Sequence, residues 1–566
     1  MGVLRFKHIF FASFLGSKRA PQAVFTFLLI PCCLAMNLRA PPLIPNVPFL
    51  LAWNAPTEVC NQRFNVLLDL SLFNFIGSPR KGFPRQDVAI FYADRLGYYP
   101  HVNEMTGKLE NGAIPQLGVL DLHLHKAAND IDQTVPASQL GLGVIDWENW
   151  RPTWERNWTP KDIYKNLSID LVRKNNPLLG LIEATKIAKE EFEKAGRRFM
   201  HNTLKLVKSV RPNYLWGYYL FPDCYNHQYT QPGYTGRCPD IEKKRNNDLE
   251  WLWKESTALF PSVYLNRHLQ SSPQAVLFAR YRVEEAIRIS NIHNPKSPLP
   301  IYVYIRPVLT DISSRYLTLE DLVSTIGESV ALGVSGTIVW GSLNLTFSRQ
   351  ACNNLDFFLK TILNPYLINV TLAAKMCSQV LCQEQGVCVR KDWNSNDYLH
   401  LNPTNFDIQI GKGGKYTVQG KPTLEDLQQF SEKFYCSCYT GSVYKKRNDI
   451  RNISAVHVCM AADVCIEALL RPATRGHGKP SCNISVTTAQ ATKFPCAPRA
   501  DFNVQQEGTC VVRTSSAPES CQYANWKNTL MIYIIQGYFA SAWTQVHRPM
   551  LVWEKEFDAS VGYHQA

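Results

Sequence analysis

Asp146 and Glu148 stand two residues apart, at the end of an apolar run that closes on Val144-Ile145. In a strand, residues i and i+2 point to the same face, so the two carboxyls are expected together at one strand end. Two carboxyls in contact resist ionising together, and one pKa rises. A carboxyl that stays protonated near neutral pH can serve as a general acid. A bare pair of this kind can equally cap a strand, so its meaning rests on what surrounds it.

Other apolar runs end on polar or aromatic residues: Tyr92, Tyr219 and Asp223, then Tyr264, Asp311 and Trp340. Between residues 49 and 345 these runs alternate with helical periods. One helix is expected on Ala184, Ala188, Phe192, Ala195 and Phe199, another on Val276, Ala279, Val283 and Ile287. Strands are expected over Leu215 to Phe221, Phe260 to Leu265, Ile301 to Ile305 and Thr337 to Trp340. Thr318 to Asp321 reads as a capping box before a helix on Leu322, Ile326 and Val330. Such alternation implies an α/β fold with a parallel sheet, and a closed (β/α) barrel accommodates it. Barrel sites form at the C-terminal strand ends. There the named residues would make a cleft floored by acids and walled by rings, a shape suited to a sugar chain.

Val144-Ile145-Asp146-Trp147-Glu148-Asn149-Trp150-Arg151-Pro152 resembles the signature of the hyaluronidase family of glycoside hydrolases. So does the segment from Leu215-Trp216-Gly217-Tyr218-Tyr219 to Pro222-Asp223-Cys224-Tyr225-Asn226. The likeness continues through Leu259 to Tyr264 and Gly336 to Gly341, and covers roughly residues 38 to 470. Asn364-Pro365-Tyr366 through Cys388, and Gly420 to Cys438, are similar to the mammalian sperm-surface members. The resemblance implies a TIM-like barrel of about seven strands over 36–371. An EGF-like module over 372–470 and a tail of unknown fold over 471–566 would follow.

It further implies retaining hydrolysis of the β-1,4 bond after N-acetylglucosamine in hyaluronan, assisted by the substrate's own acetamido group. Glu148 would be acid and then base, Asp146 would share a proton with it, and Tyr219 would hold the acetamido carbonyl. Tyr92, Arg151, Asp223, Tyr264, Asp311 and Trp340 would line the cleft. The implied bridges are Cys60–Cys352, Cys224–Cys238, Cys377–Cys388 and Cys382–Cys436. The sperm-surface members have a cysteine where this chain has Tyr444, so Cys438 needs another partner, such as Cys459 or Cys465. No cofactor or metal is implied. The zinc reading of the cysteine-rich stretch lacks C-x2-C pairs and a histidine set. A chondroitin-preferring hydrolase and a non-catalytic adhesion protein are the alternative readings, and intact Asp146, Glu148 and Tyr219 argue against the latter.

The bulk numbers bound the setting. The 566 residues carry 60 Lys and Arg against 47 Asp and Glu, a net charge of +13. A basic surface can attract acidic polysaccharide, membrane or nucleic acid, but no nucleic-acid motif occurs. Arg5, Lys7, Lys18 and Arg19 precede an apolar run from Ala23 to Ala35, the pattern of a secretory signal over 1–35. Its removal would leave 15 of the 17 cysteines, and an odd count leaves a free or intermolecular thiol. Sequons at Asn157, Asn166, Asn344, Asn369, Asn452 and Asn483 suit the same route. The resemblance adds the sperm surface or acrosome as a destination, with egg-coat or sperm-surface partners. The run Leu530 to Trp543 contains Gln536 and is followed by Glu554-Lys555-Glu556. That is a poor lipid-anchor signal, so release to the medium is expected.

Overall fold

Branched and aromatic residues fill the short strands of the inner wall, where they fit a buried pleated surface. The structure, a computed structural model, describes residues 38–470 apart from 81–82, 412–413, 443–449, 451–452 and 462–463. The expected signal segment and tail, and the sequons at Asn452 and Asn483, lie outside the described residues.

The wall is built from β1 (Leu50–Asn54), β2 (Phe75–Gly77), β3 (Val88–Tyr92), β4 (Gly141–Asp146), β5 (Tyr214–Tyr218), β6 (Tyr302–Ile305) and β7 (Gly336–Trp340). They pair in the orders β2-β1-β7-β6 and β3-β4-β5, every pair parallel. Residues 259–262 join the two sheets: Phe260 bridges Tyr219, while Leu259 and Ser262 bridge Ile301 and Tyr304. The expected strand from Phe260 to Leu265 is thus reduced to isolated bridges. Pro261, its second residue, has no amide to donate to a ladder. At the opposite seam Asp87 donates its amide to the Ile76 carbonyl at 3.3 Å. Gly77 permits this approach, since a Cβ there would collide with the Val88 carbonyl oxygen. The result is a distorted (β/α) barrel.

Helix α1 (Leu181–Val210) buries Ala184, Ala188, Phe192 and Phe199. Gly196, rather than Ala195, faces inward, and a Cβ on it would meet the Trp150 ring at 3.2 Å. Helix α2 (Pro273–His293) covers the second expected period. The Thr318–Asp321 capping box forms as read from the sequence.

Helix α3 (Asn364–Cys377) runs straight through the boundary drawn at 371. Beyond it, β8 (Gly386–Arg390) pairs antiparallel with β11 (Phe434–Cys438). Between them β9 (Phe406–Ile410) pairs with β10 (Tyr416–Gly420), followed by helix α4 (Leu424–Lys433), which opens on a Thr423–Asp426 capping box. Disulfides join Cys60 to Cys352, Cys224 to Cys238, Cys377 to Cys388 and Cys382 to Cys436. Cys459 bonds Cys465 across the pair β12 (Ala455–Ala461) and β13 (Val464–Leu469). Neither is therefore the partner of Cys438, itself disulfide-bonded.

Charge ties this stretch to the barrel. Glu328, fully buried, receives Arg280 Nε at 2.7 Å and Arg390 Nη1 at 3.1 Å. Two guanidinium groups on one buried carboxylate satisfy its lone pairs in a setting where an unpaired charge would be costly.

Candidate active site

Asp146 is the last residue of β4, and Glu148 follows just beyond the strand end. The two differ sharply in environment. Asp146 is only 8% exposed, and its Oδ1 has no hydrogen-bond partner. The Glu148 side chain is 30% exposed. Burial first, and then the Glu148 charge, push the Asp146 carboxyl well above the usual carboxylate range.

Arg151 reaches back to Glu148, with Nη2 on Oε1 at 3.3 Å and Nη1 on the main-chain carbonyl at 2.9 Å. Burial alone would lower the guanidinium pKa, but Tyr225, Glu148 and Asp223 raise it. The loop that carries Arg151 is pinned by Asn157. Asn157 Oδ1 accepts the Arg151 amide at 2.8 Å, and its Nδ2 donates to the carbonyls of Arg151 and Thr153 at 2.8 and 3.1 Å.

Rings surround the acids. Tyr92 lies opposite Asp146 in the β3–β4 register, and its hydroxyl accepts the Trp340 indole N–H at 2.9 Å. Burial, with the Asp146 charge beside it, keeps its phenol protonated. Tyr219 donates to Ser262 Oγ at 3.2 Å, and burial, Glu148 and Asp146 hold its proton in place. Its ring lies 6.1 Å from that of Tyr264, which stacks in turn on Trp340 at 6.1 Å. Asp146, Glu148, Arg151, Tyr92, Tyr219, Tyr264 and Trp340 therefore come together as one connected cluster.

A sequence profile described as hyaluronidase matches residues 38–449. This chain belongs to the hyaluronidase family. Hyaluronidase PH-20 of Macaca fascicularis is 60% identical over 496 residues, covering 87% of this chain and 97% of its own. Hyaluronidase PH-20 of Homo sapiens matches to the same extent. Hyaluronidase-5 of Mus musculus is 56% identical over 510 residues, 89% of this chain and 97% of its own. A crystal structure of bee venom hyaluronidase is 32% identical and covers 56% of this chain and 99% of that chain, with a TM-score of 0.48.

Two of the expected cleft residues of this hyaluronidase are engaged elsewhere. Asp223 is buried against Arg282, with Nη1 to Oδ1 at 3.1 Å. Burial would raise its pKa, yet Arg282 and His227 hold it below the ordinary value. Its Oδ1 also accepts the amides of Cys224 and Tyr225, so Asp223 shapes the loop behind Arg151. Asp311 binds the Arg267 amide and Nε, each at 3.0 Å. Asn157, where a glycan was expected, has a fully buried side chain, and both ends of its amide hold main-chain groups. Asn166 and Asn344 are exposed, and Asn369 is half-buried with Oδ1 on the Leu401 amide.

Sequence reading missed Ser262 and Arg306. Arg306 immediately follows β6, and its guanidinium lies 5.2 Å from the Trp340 ring centroid and 5.9 Å from that of Tyr264. The rule that selected Trp340, a residue at the end of an apolar run, would have found it.

Proposed function

We propose that the chain is an endo-acting hydrolase of hyaluronan, cleaving the β-1,4 bond between N-acetylglucosamine and glucuronate with retention. The observation that carries this reading is the unequal pair: one half-exposed carboxyl, Glu148, directly above one buried carboxyl, Asp146. Schemes with a protein nucleophile place two carboxyls about 5–5.5 Å apart across the sugar. Here the second acid adjoins the first in the same strand end, and Asp223 and Asp311 are bound to arginines. The nucleophile is therefore the substrate's acetamido oxygen.

Glu148 donates its proton to the glycosidic oxygen as the carbonyl oxygen attacks the anomeric carbon, and the C–O bond to glucuronate breaks. Tyr219 holds that carbonyl in line, and Asp146 takes up charge that builds on the amide nitrogen. Glu148, now a carboxylate, removes a proton from water. The water attacks the same carbon and reopens the ring, so two inversions restore the β configuration. Tyr92, Tyr264 and Trp340 supply the apolar platform on which sugar rings stack.

The finer architecture belongs to the same reading: a seven-strand barrel over 36–371, and an EGF-like module over 372–470 that contains the Cys377–Cys388 and Cys382–Cys436 bridges. Disulfides of this number form in the secretory pathway, and the likeness to PH-20 supports a sperm-surface role in opening the hyaluronan-rich egg vestment. Zymography of the secreted chain on hyaluronan, chondroitin and a chitin-type polymer tests the substrate. Clearing of hyaluronan is the expected result, and clearing of chondroitin alone would move the assignment there.

A further inference from the structure

Resting on that reading, we propose that Arg306 binds the carboxylate of a glucuronate that adjoins the N-acetylglucosamine held at Tyr219. Arg306 reaches the site by two routes. Trp340, under its guanidinium, donates to Tyr92, which faces Asp146. Tyr264, also under it, contacts the Tyr219 ring. The guanidinium thus lies one ring, that of Tyr264, beyond Tyr219 along the chain of rings.

Its environment is that of a cation awaiting an anion. Arg306 Nε is buried with no hydrogen-bond partner, and among the described residues no carboxylate pairs with it. The buried arginines near the site contrast with this half-buried one: Arg151 has Glu148, Arg156 has Glu242 and Arg282 has Asp223. A buried guanidinium nitrogen without a hydrogen-bond partner is costly to keep. The two rings offset part of this through their π faces, and they hold the fork flat. A planar fork fixed in that way matches a carboxylate in two-point geometry. Hyaluronan alternates its N-acetylglucosamine with a uronic acid, so a carboxylate flanks every acetamido group on both sides. Arg306 would therefore separate uronate polymers from neutral N-acetylglucosamine polymers, which present only a hydroxymethyl group there.

The test uses binding, so that it stands apart from turnover. The full chain carrying Glu148→Gln is titrated with a hyaluronan octasaccharide and with the same octasaccharide after reduction of its carboxyls to alcohols. Adding Arg306→Gln should weaken the first by about 10- to 100-fold, as expected for loss of a charge-assisted pair, and the second by less than threefold. Arg306→Lys should recover part of the loss. Unchanged affinity for hyaluronan, or an equal loss on both ligands, would overturn the assignment, the latter marking Arg306 as a mere prop for the rings. Failure of the unmodified chain to cleave hyaluronan would strike the proposed function, and the binding difference would still report on Arg306.

Discussion

Arg151 grips Glu148 at both ends, its Nη1 on the main-chain carbonyl and its Nη2 on the carboxylate. The carboxyl proposed as the general acid is therefore held by a guanidinium that stays charged at every working pH. Removing the acid should leave that frame standing.

Glu148→Gln should fold and melt like the parent and lose at least 10²–10⁴ in turnover, the usual cost of removing a general acid–base. Reducing-end release from hyaluronan, alongside thermal melting, checks both halves. Near-normal turnover in a folded variant would remove Glu148 from its role.

Asp146→Asn should be slower yet more stable at neutral pH. The Asp146 carboxyl is raised in the folded chain by burial and by Glu148. The stability it contributes is therefore complete below the unfolded carboxylate value of about 3.9, and is lost as pH climbs through the raised value. An amide does not titrate, so the variant's advantage should be near zero in acid and grow toward neutrality, by about 1–3 °C in melting temperature. An advantage that is flat with pH would mean that the buried carboxyl is not strained by its charge.

Early product should carry the β anomer. A single attack by water would give α at the new reducing end, whereas two displacements return β. Proton NMR of the first products, before mutarotation, decides the matter, and α product appearing first would exclude the acetamido nucleophile.

Asn157 should be found unmodified when the secreted protein is digested and its peptides are weighed, while exposed Asn166 and Asn344 are free to carry glycans. Asn157→Ala should lower both melting temperature and activity, since it releases the loop that presents Arg151. A glycan on Asn157 in the active protein would contradict the buried amide.

The alternation of apolar runs and helical periods made the barrel readable, and strand ends gave Tyr92, Tyr219, Tyr264 and Trp340. Local pattern could not reveal which acids are already engaged. Asp223 and Asp311 look like cleft residues in the sequence because Arg282 and Arg267, which bind them, lie 59 and 44 positions away. Asn157 is a similar case: the sequon is a three-residue pattern, whereas the burial of its side chain is decided by the packing of the whole loop. The boundary expected at 371 falls inside helix α3, which a local sequence pattern did not mark as continuous.

The buried Glu328, shared by Arg280 of α2 and Arg390 of β8, restricts how the chain can be rearranged. An exchange of C-terminal halves between relatives, in the laboratory or by recombination, would bring together halves of a three-member charge lock. A graft whose junction falls between 328 and 390 inherits the acid from one parent and a base from the other. It can succeed only where both parents keep the same pair at those two positions. Shortening the chain before Arg390 would leave Glu328 with a single arginine inside a dry interior. Seams for chimaeras therefore belong outside the interval from 280 to 390.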